Sequence, residues 1–128
     1  AGGCQAEIGS ASAMAAGGVA YLMGGDAVQI SHAAALALKN LLGLACDPVA
    51  GLVEVPCVKR NVMGAVNAMT SSDMVMAGIT SKIPPDEVID AMRAIGRSMS
   101  EDIRETGKGG LAGTPTGVAI RERMAGTL

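Results

Sequence analysis

The chain has 128 residues, a net charge of −2 and a hydrophobic fraction of 49%. That is one domain at most, and without a basic stripe it is unsuited to nucleic acid. Phe and Trp are absent and Tyr21 is the one aromatic, so base stacking has almost nothing to work with. A core without large rings packs by close backbone approach, so the 18 glycines and many alanines point to tightly packed helices. The nine methionines are expected to fill irregular gaps in that core. Three cysteines are an odd count for a secreted disulfide framework and suit a reducing, cytoplasmic compartment. No basic n-region of a signal peptide is present. The chain opens on Ala1-Gly2-Gly3-Cys4 without a methionine, which reads as a piece of something longer.

Residues 1–5 form a glycine-rich lead-in that brings Cys4 to the start of a helix over 5–23. Glu7 in its first turn suits the positive end of the helix dipole, which also favours thiolate at Cys4. Gly9, Ala13, Ala16, Gly17 and Ala20 give a small-residue face, and Gly24-Gly25 ends the helix. The uncharged run 8–25 just reaches the length of a membrane span. Its Ala, Gly and Ser content instead reads as a buried helix, so no membrane is expected.

Asp26 is placed as an N-cap with Gln29 three residues on, a variant of the capping box. The helix behind it, 27–42, is apolar nearly all round through Val28, Ile30, Leu36, Leu38, Leu41 and Leu42. That pattern predicts burial, and Gly43 supplies the stop. His32, the only histidine, is expected to pack between helices and bond a backbone carbonyl. A ligand or acid–base role is its alternative.

Segment 44–61, LACDPVAGLVEVPCVKRN, does not read as regular structure. Cys46-Asp47-Pro48 and Val55-Pro56-Cys57 each set a cysteine beside a proline, which fixes its own φ and restricts the residue before it. One such cysteine alone reads as a small buried hydrophobe. The pair, joined by Cys4, reads as a metal or cluster site.

A third helix follows over 58–79, with Val58, Val62, Ala65 and Met69 on one stripe. Lys59, Arg60 and Asn61 occupy its first turn, where cations oppose the dipole. Either an anion sits nearby, or these charges pair with Glu54 or Asp47. Pro84-Pro85-Asp86-Glu87 opens a fourth helix. Val88, Met92, Ile95 and Met99 form its inner stripe, and Asp90, Arg93 and Arg97 face water. A short turn at 100–105 precedes a glycine loop at 107–116. The loop lacks the Lys-Ser/Thr of a P-loop, though its amides can approach an anion. The tail, 118–128, reads as a short polar segment or frayed helix. The expected fold is all-α: a compact bundle of about four main helices, with an irregular cysteine-bearing segment between helices 2 and 3. Residues 1–117 form the site-bearing portion and 118–128 the tail.

The spacing Cys4-x41-Cys46-x10-Cys57 is neither a zinc ribbon nor a ferredoxin run. Three cysteines on a four-iron cubane leave one iron open, a Lewis acid able to hold a substrate hydroxyl. Cys4, Cys46, Cys57 and His32 around a structural zinc form the competing set.

Four stretches carry a resemblance: GGCQAEIGSASAMAAGG, HAAALALKNLLGLACDPVAGLVEVPCVKRN, IPPDEVIDAM and RETGKGGLAGTPTG. They resemble the C-terminal part of the α chain of the iron–sulfur-dependent bacterial L-serine dehydratases. The resemblance implies a [4Fe-4S] cluster held by Cys4, Cys46 and Cys57, with L-serine bound at the fourth iron. It implies conversion of L-serine to pyruvate and ammonia without pyridoxal phosphate. It further implies a β chain or β domain as partner, in a homo- or hetero-oligomer. The catalytic base is expected outside this chain, His32 being the one candidate within it. On physical grounds Lys59 and Arg60 are candidates for the substrate carboxylate. Asn61 and the amides of Gly109 and Gly110 are candidate donors to substrate or cluster sulfide. Two alternatives remain at this stage: a related hydro-lyase acting on another hydroxy acid, and a non-catalytic helical module with buried thiols or zinc.

Overall fold

The computed structural model describes residues 2–126; Ala1 of the lead-in and Thr127 and Leu128 of the tail lie outside them. Among the described residues the regular elements are all helical, as expected. They are α1 (Ser10–Leu22), α2 (Ala27–Asn40), α3 (Cys57–Met76), α4 (Pro85–Ser98) and α5 (Pro115–Ala125). Single 3₁₀ turns lie at Val49–Gly51, Glu101–Ile103 and Gly110–Gly113. A π-helical stretch, Gln5–Gly9, runs without a break into α1 and turns Gln5, Ile8 and Gly9 inward.

The start of α2 is set locally. Asp26 Oδ1 accepts from Gln29 N at 2.8 Å, and Gln29 Oε1 accepts from Asp26 N at 2.9 Å. Both halves of the capping box therefore form. Asp26→Ala is expected to cost about 1 kcal/mol, read as a lower urea midpoint at unchanged m-value.

Helices α1, α2 and α3 pack around Ala16, Ala20, Ala33, Leu36, Ala37, Ala68 and Val75. With side chains this small the backbones come close enough to share hydrogen bonds. Ser12 Oγ donates to Gly64 O at 2.7 Å, and Ser72 Oγ donates to Ala16 O at 2.8 Å. Asn67 Nδ2 donates to Ala37 O at 2.9 Å, tying α3 to α2. A Cβ on Gly64 would lie 2.8 Å from Ile8 Cγ2, so the crossing of α3 with the π-helical stretch needs glycine. Helix α4 closes the bundle by packing Val88 and Met92 on Ala35 and Leu38.

Several expectations are corrected. The stripe Val58, Val62, Ala65 and Met69 faces outward, while α3 buries Gly64, Ala68, Ser71, Ser72 and Val75. Close approach to α1 and α2 selects the small face, and the larger aliphatic residues fall on the opposite side. Helix α2 is buried through Ala33 and Ala35–Leu38, but Val28 in its first turn is exposed. The methionines fill little of the core: Met14, Met23, Met63, Met69 and Met124 are exposed, while the half-buried Met74 and Met92 pack against it. In the tail, Thr114 Oγ1 accepts from Gly117 N at 3.1 Å and Pro115 sets the first turn, so α5 is a regular helix to Ala125.

Candidate functional site

Three segments distant in sequence deliver the cysteines to one place. Cys4 is buried at the start of the π-helical stretch. Its neighbour Gln5, also buried, is held at three points. Gln5 N donates to Leu44 O at 3.0 Å, Gln5 Nε2 donates to Met92 O at 2.9 Å, and Gln5 Oε1 accepts from Gly43 N at 3.0 Å. Gly3 has φ +74, and a Cβ there would meet Leu44 O at 2.8 Å. The glycine lead-in thus lets the chain pass against the segment after α2.

Cys46 is buried and fixed through its backbone. Its N–H donates to Ile103 O at 2.9 Å and its carbonyl accepts from Glu105 N at 2.8 Å, a bridge of parallel type opposite Arg104. Cys57 is the first residue of α3 and half-buried. The loop before it turns sharply at Ala50 (φ 55) and Gly51 (φ 73), and Val55–Pro56 is a cis peptide. Val49 N donates to Val55 O and Val58 N to Val53 O, each at 2.9 Å, which closes this loop on itself.

The thiols meet. Cys4 and Cys46 share a buried cluster with Ile8 and Leu41, and Cys57 lies near enough for Cys4 to act on its thiol. None is in a disulfide. Burial pushes the Cys46 thiol up to about 12, with Cys4, Glu105 and Cys57 adding to the effect. Burial also raises Cys57, followed by Cys4, against an opposing pull from Arg60. Both are therefore neutral thiols here, and a metal bound to them must displace their protons.

One ion pair braces the site. Arg60 Nη1 donates to Asp47 Oδ1 at 2.6 Å and to Ala45 O at 2.8 Å. Asp47 is buried, and its Oδ2 accepts from Leu111 N at 2.7 Å. Burial works against the Arg60 charge. The bonded Asp47 outweighs it, helped by the nearby Cys4, and holds the guanidinium above its usual value. The glycine loop does bind an anion, and that anion is the chain's own Asp47. Gly110 has φ +59 and any Cβ there would collide with the Asp47 side chain.

The other predicted contacts fall differently. Arg60 is committed to Asp47 and is not free for a substrate carboxylate; of the two pairings weighed, Asp47 is the partner. Asn61 Nδ2 donates to Cys57 O at 3.0 Å, and Gly109 N donates to Asp102 O at 2.9 Å, so both donors are used within the fold. Lys59 is exposed. His32 is not at the cysteines. Its Nδ1 accepts from Ser81 N at 3.2 Å, an amide in place of the expected carbonyl, more than two turns along α2 from Leu41. The zinc set including His32 is not brought together. Among the described residues no three His, Cys, Asp or Glu side chains are arranged to hold a single metal ion.

An open cavity of about 360 Å³ borders Cys46, lined also by Gly2, Gly3, Ala6, Glu7 and Glu105. Sequence reasoning missed Gln5 and the two glutamates. Asp47, between Cys46 and Pro48, was legible as a pairing partner but not as the anchor of the glycine loop.

Fold and site together define an all-helical protein built around three converging thiols. The family model for the serine dehydratase alpha chain matches residues 1–112. The chain is 62% identical over 125 residues to the "Probable L-serine dehydratase, alpha chain" of Latilactobacillus sakei, covering 98% of this chain and 60% of that one. It is 63% identical over 126 residues to the protein of the same name in Bacillus subtilis (strain 168), covering 98% and 42%. With the "L-serine dehydratase, alpha chain" of Peptoniphilus asaccharolyticus it shares 55% over 120 residues, covering 94% and 41%. The chain belongs to the serine dehydratase alpha chain family. It spans between 41% and 60% of the length of these relatives.

Proposed function

We propose that this chain is the cluster-binding part of a cytoplasmic L-serine dehydratase, which converts L-serine to pyruvate and ammonia without pyridoxal phosphate. The observation that carries the reading is the approach of Cys4, Cys46 and Cys57 from three separate segments, none in a disulfide and Cys46 beside an open cavity. The donor set suits a [4Fe-4S] cluster: three soft thiols, and the Arg60 cation beside Cys4 to offset thiolate charge. When bound, the cluster supplies an iron with an open position, a Lewis acid for the substrate hydroxyl.

The chain's own residues do the rest of the positioning. Gln5 and the Cys46 bridge hold two thiols on fixed backbone, and Asp47, paired with Arg60, ties the glycine loop to the residue after Cys46. The cavity beside Cys46 is the place for the amino acid, with Glu7 and Glu105 on its rim. The base that takes the Cα proton comes from outside this chain, from the remainder of the α chain or from the β chain that completes the enzyme.

The test is anaerobic reconstitution of the α chain with iron and sulfide, followed by addition of the β partner and L-serine. About four irons and four sulfides per chain are expected, with the visible absorption of a cubane. Cys46→Ser is expected to lose cluster colour and turnover together. Full turnover by that variant with an unchanged spectrum, or zinc in place of iron, overturns the reading.

A further inference from the structure

Among the described residues the outer face of α3 is left exposed. Val58, Val62, Val66 and Met69 recur there at helical spacing and are between 53% and 63% exposed. From Asn61 to Ser72 the helix carries no charged residue. The stripe runs about 16 Å along the axis, from Val58 to Met69. It continues into Leu52, Val53 and Val55, which are exposed on the loop that delivers Cys57. Patches of this kind are rarely left to water in a finished protein. The opposite face of α3 is fully used against α1 and α2, so the stripe is not core turned the wrong way. No helix among the described residues is long and apolar enough to cross a membrane.

The length of the relatives points to the occupant. The matched segment covers only 42% of the Bacillus subtilis α chain and 60% of the Latilactobacillus sakei one. We propose that the outer face of α3, with the adjoining loop at 52–55, seats the remainder of the α chain. The docked segment is apolar along its middle. Exposed Lys59 at the cysteine end and exposed Asp73 at the other call for an acidic residue and a basic one at its two ends. Docked there, it also covers the loop leading to Cys57. The inference rests on membership of the family and not on the reaction.

The experiment places the photoreactive residue benzoylphenylalanine at Val62, and separately at Met69, in the full-length α chain co-expressed with its β partner. Both positions are exposed, so the probe adds no burden to the core. Irradiation and mass mapping are expected to give crosslinks within the α chain, to residues outside the segment described here. Crosslinks to the β chain, to a second α copy, or none above a probe at exposed Glu87 overturn the proposal. L-serine turnover is assayed on the same preparations. Turnover without intra-chain crosslinks sinks the docking surface alone; crosslinks without turnover in the unsubstituted enzyme sink the dehydratase reading alone.

Discussion

Asp47→Ala is expected to destabilise the α chain by about 3 kcal/mol, the lower end of the range for breaking a buried ion pair from one side. The reason lies in what remains. The Arg60 side chain is only 20% exposed, and the carboxylate facing it is 6% exposed. Without that carboxylate the guanidinium keeps its desolvation cost and one carbonyl partner, Ala45 O. Leu111 N also loses its acceptor, freeing the glycine loop. The measurement is the denaturant midpoint at unchanged m-value. Arg60→Met in the Asp47→Ala background is expected to recover much of the loss, because an apolar side chain leaves no charge stranded. A single Asp47→Ala variant within 0.5 kcal/mol of the parent, a margin typical of surface substitutions, would show that the pair does not hold the site.

Gln5→Ala is expected to cost about 2–3 kcal/mol, since it strands Met92 O and Gly43 N and opens a small void beside Cys4. The near-isosteric Gln5→Glu separates hydrogen bonding from packing. An ionised carboxylate at 5 would face the Met92 carbonyl where a donor now sits, whereas the protonated form can donate. The folded state therefore favours the neutral acid and raises its pKa above the unfolded value of about 4.3. Stability of Gln5→Glu is then fullest below that value and falls as pH rises through it towards the folded pKa. Urea melts at pH 4 and pH 7, corrected for the parent, check this. A Gln5→Glu deficit that does not grow with pH would remove the donor role assigned to the amide.

Local signals in the sequence were readable where they act locally. Asp26 and Gln29 announce the start of α2, and Pro84-Pro85 announces α4; both form as expected. The inner stripe of α4 was also legible, because one face of that helix is strongly polar. The orientation of α3 was not. Apolar periodicity picks Val58, Val62, Ala65 and Met69, yet the bundle buries Gly64, Ala68, Ser71 and Ser72. Backbone proximity selects residues for being small, and hydropathy does not register that. At the site, cysteines flanked by prolines marked two of the three positions. The Arg60–Asp47 pairing was one of two weighed, but that Asp47 also anchors Leu111 depends on a contact between distant segments that spacing cannot reveal.

The contacts that build the site stretch from Cys4 to Leu111, whose amide reaches Asp47 beside Cys46, almost the full length described. A ribosome adds roughly 5–20 residues per second. The first thiol therefore emerges on the order of ten seconds before the last backbone amide that closes the site. Through that interval the nascent chain carries a cysteine without its enclosure, open to any passing oxidant.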